Sequence, residues 1–333
     1  MTPPDSAPRD PAANRREFLR RGLQAGAAVT LTGGFASWLW NRHPPGDFNR
    51  GAASALLPDF SDRNAGPKMA IVTGQNRAAM VRRALEAMGG VGRFIKRGDR
   101  VMLKVNAAFA TPAILSATTH PELAAELVRL CLGAGAASVL VTDNPINDPE
   151  SCFNLTGIGP AVRAAGASLV LPRAAQFAPG TLPGGRLIRD WPILHEPFRG
   201  ITKLIGVAPV KQHNRAGASM TMKNWYGLLG GRRNQFHQDI NGIVVELAML
   251  VRPTFVVLDG TASMMANGPT GGSLADLKPT HTLVVSTDGL AADAFGATLL
   301  DKTCRDLPYI TGAVERGLGT ADFESLQPVR TAV

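Results

Sequence analysis

The chain has 333 residues and a formal net charge of +9, with 45% hydrophobic and 6% aromatic residues, 36 glycines and 24 prolines. Gly and Pro together stay below the roughly 25–30% that marks low complexity, so collagen, coiled coil and wholesale disorder are excluded. Cys131, Cys152 and Cys304 are too scattered for a disulfide scaffold or a cysteine cluster, and no iron–sulfur cluster is expected on this chain. The basic balance contains no run of five or more basic residues and no aromatic-interleaved basic stretch. Nucleic acid is therefore not an expected partner.

Near the N-terminus, Asn14-Arg15-Arg16-Glu17-Phe18-Leu19-Arg20-Arg21 precedes a stretch from Gly22 to Trp40 that carries no charge. Paired arginines ahead of Phe-Leu and a modestly apolar Gly/Ala-rich segment resemble a twin-arginine export signal. That resemblance implies the twin-arginine export machinery as a partner and a periplasmic location. It also implies transport in the folded state, with any cofactor already loaded. Residues 22–40 are just long enough to cross a bilayer, and Trp38 and Trp40 suit a membrane interface. A removed signal over 1–40 and an uncleaved tether both remain open, and the tether is the one expected membrane contact. Pro44, Pro45 and Pro58 mark 41–66 as a linker. A single α/β domain over 67–330 follows.

From Met69 onward, apolar runs alternate with amphipathic ones. Strands are predicted at Met69–Thr73, Val101–Val105, Ser138–Thr142, Ser168–Leu171, Ile201–Val210, Thr254–Leu258 and Thr282–Ser286. Helices are predicted at Asn76–Met88, from Thr119 through Leu132, and at Ile158–Ala165, His237–Val251 and Leu290–Leu300. Strands separated by helices argue for βαβ units, hence a mainly parallel sheet flanked by helices, with room for two lobes. In such sheets the ligand cleft lies at the carboxyl ends of the strands. The residues just after the predicted strands are Asn106, Asp143, Lys211 with His213, Asp259 and Asp288. Turn and capping preferences account for Asp143 and Asp288 comfortably, and for Lys211 and His213 less well.

Several common chemistries leave no trace. There is no P-loop, no dinucleotide fingerprint following a strand, no His-Glu-x-x-His helix and no Gly-x-Ser-x-Gly elbow. What is present is an ordered series. It runs Lys104-x-Asn106, Thr119-His120-Pro121-Glu122, Ala208-Pro209-Val210-Lys211-Gln212-His213 and Met222-Lys223-Asn224-Trp225-Tyr226-Gly227. Gly230-Gly231, His237, Asp259-Gly260, Asn267-Gly268-Pro269 with Gly271-Gly272, and Thr287-Asp288-Gly289 with Asp293 complete it. Taken together, these motifs resemble the family called domain of unknown function 362, from about Lys104 to Gly319. Many members of that family carry an additional ferredoxin-like cysteine module, from which this chain departs. The resemblance implies a map of the site and little mechanism.

Arginines outnumber lysines by 27 to 8, yet Lys104, Lys211 and Lys223 fall inside those motifs. Lysine offers a compact ammonium whose pKa falls readily on burial, whereas arginine stays charged. Lys211, His213, Lys223 and Asp259 are therefore the candidate catalytic residues, with His213 moving a proton and Asp259 orienting a partner or a metal. Lys104, Asn106, Asn224, Asn267, Gly268, Gly271 and Asp288 are the candidate ligand-binding residues, the Gly-rich loops offering backbone amides to an anion. His213 and His237 are the candidate metal ligands. His120 is read as a residue at the start of a helix and Cys131 as an inert buried thiol. Trp225 and Tyr226 either stack on a planar ligand or cap the core. The expected function is an exported, cofactor- or metal-assisted enzyme acting on a small anion, with redox or isomerisation chemistry favoured over hydrolysis. The alternative is a periplasmic binding or cofactor-handling protein without turnover.

Overall fold

The computed structural model describes residues 19, 20, 22–24, 26, 56–62 and 65–333. The readings of an export signal, a cleavage site and most of the linker fall outside the described residues. Two units are distinguished, Met1–Gly46 and Asp47–Val333, and the fold below is that of the second. Among the described residues, no helix is long and apolar enough to cross a membrane.

The strands are β1 (Met69–Thr73), β2 (Arg100–Lys104), β3 (Ser138–Thr142), β4 (Ser168–Val170), β5 (Phe177–Gly180), β6 (Trp191–Leu194), β7 (Lys203–His213), β8 (Gly217–Ser219), β9 (Phe255–Met264), β10 (Leu277–Ser286) and β11 (Val329–Ala332). The main sheet has the order β11-β1-β10-β9-β7-β2-β3-β4, with β8 on β7, and β5 and β6 form a separate hairpin. Parallel pairing joins β1 to β11, β9 to β7, β7 to β2, β2 to β3 and β3 to β4. Strand β10 runs against both of its neighbours. The expected α/β architecture, mostly parallel with flanking helices, is what the chain adopts.

Period-two alternation along the central strands divides the interior into two layers. Ile205, Val207, Phe255 and Val257 face one side, where the helices Arg77–Ala87 and Pro121–Gly133 supply Met80, Val81, Leu123 and Leu127. Leu204, Ala208, Val256 and Leu258 face the other, against the helices Ile240–Leu250 and Gly289–Leu299. Local chemistry starts these helices where the sequence indicates. Asn76 accepts the Ala79 N–H at 2.8 Å, and the His120 ring accepts the Glu122 N–H at 3.3 Å ahead of Pro121. Leu57 and Phe60, inside the segment read as linker, are buried against the second layer.

Strand direction decides where the predicted residues go. Because β10 is antiparallel to β9, its carboxyl end emerges at the opposite rim of the sheet from those of β2, β3 and β7. Asp288, one of the candidate binding residues, is thus carried away from the others. Strand β9 runs on to Met264, well past the predicted end at Leu258. Asp259 is consequently a mid-strand residue beside Pro209 of β7. The predicted helix from His237 begins at Ile240, after a 3₁₀ stretch over Arg233–Asp239.

Candidate functional site

At the carboxyl ends of β2, β3 and β7 lies a cavity of about 140 Å³. That is below the roughly 300–1,000 Å³ typical of sites for drug-sized ligands, so it suits a molecule of few heavy atoms. Its wall includes Lys104 at the end of β2 and Asn106 just beyond it, Asp143 after β3 and Lys211 with His213 on β7. Lys223, Asn224, Tyr226, Arg233 and His237 close it from the segment that follows β8. Six of the residues proposed from sequence (Lys104, Asn106, Lys211, His213, Lys223 and Asn224) therefore meet in one place, together with His237.

The three lysines have different surroundings. Lys104 Nζ lies 2.7 Å from Asp143 Oδ1 and donates to Asn224 Oδ1 at 3.0 Å and to the Val105 carbonyl at 2.8 Å. Burial pulls its pKa down, and the Asp143 carboxylate opposes that pull. Lys211 donates to the Ala117 carbonyl at 2.5 Å and sits over the Phe109 ring, 5.1 Å from its centroid. No carboxylate pairs with it among the described residues, and burial, reinforced by the nearby Lys223 charge, brings its pKa to about 7. Lys223 lies over the Tyr226 ring at 5.0 Å, and burial with the Arg233 charge lowers its pKa to about 8.

The two histidines are held in complementary tautomers. His213 Nδ1 accepts the backbone N–H groups of Arg215 at 3.2 Å and Ala216 at 3.1 Å. Its proton is therefore on Nε2, and burial among cations pushes its pKa to about 3. His213 is a neutral hydrogen-bond donor; with its acceptor nitrogen engaged, the proton movement expected of it is confined to the Nε2–H side. His237 Nδ1 lies 2.9 Å from the Asn234 carbonyl, which can only accept. The proton is on Nδ1 there, leaving Nε2 as an acceptor. The rings stack with centroids 6.2 Å apart and planes 16° from parallel. Among the described residues, no group of three His, Cys, Asp or Glu side chains is placed to hold a metal ion. His213, whose Nδ1 accepts two backbone N–H groups and whose Nε2 carries the proton, offers no free nitrogen to a metal shared with His237.

A supporting layer fixes these groups. Asp143 accepts the N–H of Ala107 at 2.7 Å and of Asn144 at 2.9 Å in addition to Lys104. The Asn224 amide donates to the carbonyls of Lys104 at 3.3 Å and Val207 at 3.2 Å, tying β2 to β7. Its hydrogen bonds are thus directed to the scaffold. Asp293 accepts both N–H groups of Thr221 and Met222, at 2.8 and 3.1 Å, and the Thr221 hydroxyl at 2.5 Å, which anchors the turn presenting Lys223. Trp225 is buried in the core, so close to β7 that a Cβ on Gly206 would stand 2.6 Å from its Cη2. Tyr226 faces the cavity instead, and its hydroxyl donates to the Arg233 carbonyl.

The remaining predicted residues lie elsewhere. Asp259 pairs with Arg77 at 2.7 Å and accepts from the backbone and hydroxyl of Thr261, on the layer covered by the Arg77–Ala87 helix. Asp288 caps the Gly289–Leu299 helix by accepting from Ala291 at 3.0 Å, and it borders a second cavity of about 270 Å³ at the other rim. In the loop after β9, the Asn267 amide donates to Asp276 at 2.7 Å and the Gly268 N–H donates to Gln212 Oε1 at 2.8 Å. From that loop Pro269 lines the cavity; Asn267, Gly268 and Gly271 do not.

Asp143, Arg233 and Gly227 are among the wall residues that the sequence does not mark as part of the site. Turn preference alone accounts for Asp143 in the sequence, although it is the single carboxylate among the described residues of the wall. Arg233 is hidden among 27 arginines. Gly227 passes so near the ion pair that a Cβ would stand 1.9 Å from Asp143 Oδ1 and 2.6 Å from Lys104 Nζ.

An α/β protein with a small, strongly cationic cleft at the carboxyl rim of its sheet is the class these features define. The chain belongs to the family described as domain of unknown function 362 (DUF362), which it matches over residues 101–298. It is 25% identical over 259 residues to a thylakoid-associated protein of Synechocystis sp., an alignment spanning 75% of this chain and 78% of that protein. Among solved structures it is similar to a Thermotoga maritima protein, with 11% identity and a TM-score of 0.32 over 73% of this chain. It is also similar to the lactate racemase apoprotein of Thermoanaerobacterium thermosaccharolyticum, with 14% identity and a TM-score of 0.38 over 73% of this chain. The chain covers 60% and 59% of those two structures respectively.

Proposed function

We propose that this chain is an enzyme that binds a small carboxylate or phosphate in the cleft and relocates a proton on it. The observation that carries the reading is one of charge. Lys104, Lys211, Lys223 and Arg233 line a single small cavity in which Asp143 is the one carboxylate among the described residues. A bound anion supplies the missing negative charge and offsets the burial and the neighbouring cations that hold the Lys211 and Lys223 pKa values down. The cleft also supplies groups for proton movement: an amine at Lys211 that titrates near 7, a fixed hydrogen-bond donor at His213 Nε2 and the Nε2 of His237, whose Nδ1 is bound to the backbone. That set suits isomerisation or redox proton movement better than hydrolysis. We place the activity outside the cytoplasm, on the strength of the twin-arginine resemblance at Arg15-Arg16.

Calorimetric titration of the folded chain with inorganic phosphate, lactate and pyruvate tests the binding step. At least one should bind, and Lys223→Met should weaken it tenfold or more. Failure of all three to bind would remove the anion reading. Binding without turnover in the unmodified chain would mark a carrier, whereas turnover that is lost in His237→Gln with binding retained would support the enzyme.

A further inference from the structure

We propose that Lys211 is a nucleophile that forms an imine with a small ketone bearing an adjacent anionic group. The inference rests on the reading of the cleft as an anion site and specifies which anion it takes. Three structural observations converge on it. First, Lys211 differs from Lys104, its neighbour on the wall. Lys104 has a carboxylate at 2.7 Å that favours its ammonium form, whereas Lys211 is equally buried and is offered one backbone carbonyl and an aromatic face. An amine in apolar surroundings beside other cations is the arrangement that favours the neutral, nucleophilic form. Second, a neutral amine that donates one N–H to the Ala117 carbonyl keeps its lone pair free, and Lys211 is part of the cavity wall. Third, His213 lies two residues further along β7 and also lines the cavity. Side chains at i and i+2 of a strand share a face, so the Nε2–H donor and the amine can meet the same group. Lys223 is then left to hold the anion, with the charge of Arg233, whose guanidinium donates to the carbonyls of Tyr226, Leu229 and Pro145, beside it.

The step balances without an oxidant or reductant. The Lys211 nitrogen forms a bond to the carbonyl carbon while the carbonyl oxygen takes a proton, with the His213 Nε2–H positioned to donate a hydrogen bond to it. Both protons of the neutral amine end on that oxygen, one on addition and the second, relayed by His237 Nε2, as the C=N bond forms and water leaves the carbinolamine. His237 Nε2 is the acceptor available for the proton released from nitrogen or, in the imine, from the adjacent carbon. A ketone flanked by a carboxylate and one flanked by a phosphate ester share this chemistry. The cavity of about 140 Å³ limits either to a few heavy atoms.

The test is reductive trapping on the full chain. Protein is incubated with pyruvate or with dihydroxyacetone phosphate, treated with borohydride and mapped by peptide mass spectrometry. The expected result is a stable adduct on Lys211 that carries the pyruvate less one oxygen atom, or the phosphate ester likewise. Borohydride alone should give no adduct, and excess inorganic phosphate should suppress it at least tenfold. The arm that labels Lys211 identifies whether carboxylate or phosphate is read. Adduct spread over Lys223 and the exposed lysines at similar yield overturns the proposal, as does no adduct where calorimetry records binding of the same ketone. In that last case the anion site survives and the nucleophile does not; absence of both binding and adduct removes both. Because the mapping is done on the unmodified chain, a folding defect in Lys211→Met does not blur the outcome.

Discussion

Lys104 Nζ and Asp143 Oδ1 are 2.7 Å apart, with side chains 1% and 2% exposed, at the ends of two adjacent parallel strands. A buried pair of this kind contributes little net stability over an apolar replacement, but removal of one partner strands a charge in a medium that cannot solvate it. Asp143→Asn should therefore cost about 3–5 kcal/mol of unfolding free energy. Urea denaturation measures it, and a loss below about 1 kcal/mol would show that Lys104 sheds its proton at little cost.

Gly227 carries the backbone past that pair. Gly227→Ala would place a Cβ 1.9 Å from Asp143 Oδ1, a contact that real structures do not hold. The carboxylate must move, and Lys104 and the Ala107 N–H lose their partner with it. We expect anion binding to fall at least tenfold at a stability cost of about 1–3 kcal/mol. Titration calorimetry alongside thermal unfolding separates the two effects. Unchanged binding would place the pair outside the anion site.

The sheet and most of its elements are legible in the sequence because apolar periodicity encodes burial. Met69–Thr73 and Ser138–Thr142 have the predicted bounds. The direction of β10 is not legible, since period-two alternation reads the same in either direction, and Asp288 is misplaced for that reason alone. The β5–β6 hairpin escapes notice because Phe177–Gly180 and Trp191–Leu194 each carry a proline and are only four residues long. In the site, lysines stand out against an arginine-rich background, whereas Arg233 cannot. Asp143 looks like any strand-end aspartate, because pairing with Lys104 across two strands is a tertiary fact. The tautomer of His213 depends on two backbone N–H groups, and no side-chain spacing announces those.

Asp259 offers a discriminating control. Its carboxylate holds Arg77 at 2.7 Å on the other layer of the sheet and is absent from the cavity wall. Asp259→Asn should lower stability by about 1–3 kcal/mol, as a buried hydrogen-bonded ion pair is broken. Phosphate affinity should stay within twofold. A tenfold loss of affinity would restore Asp259 to the site that sequence reasoning assigns it.

Export is tested independently of the cleft. Arg15→Lys with Arg16→Lys keeps both charges while removing the arginine pair. A reporter that fluoresces only when folded before transport, fused after residue 66, should reach the periplasm with the natural sequence and stay in the cytoplasm with the double variant. Equal periplasmic signal from both would remove the twin-arginine reading.

Stability should rise between about pH 7 and pH 9. In the folded chain, Lys211 titrates near 7 and Lys223 near 8, both below the ordinary 10.5. Across that interval the unfolded chain holds these protons while the folded chain releases them, so increasing pH favours the folded state. Burial lowers the Lys104 pKa as well, which adds in the same direction, whereas the remaining buried groups act at the edges of the window. His213, lowered to about 3, has completed its contribution by its ordinary value of 6.5, and Asp293, raised to about 7, has exhausted its opposing one near the lower edge. Above the ordinary thiol value of 9.0, Cys131, raised to about 12, and Cys152, raised to about 11, keep protons that the unfolded chain loses, which offsets the lysine contribution, and the rise levels off. Urea midpoints at pH 7, 8 and 9 should therefore climb, and Lys211→Met should flatten the slope. A flat profile in the unmodified chain would mean that Lys211 and Lys223 keep their protons throughout, through a counter-charge or solvent contact that the cleft walls do not supply.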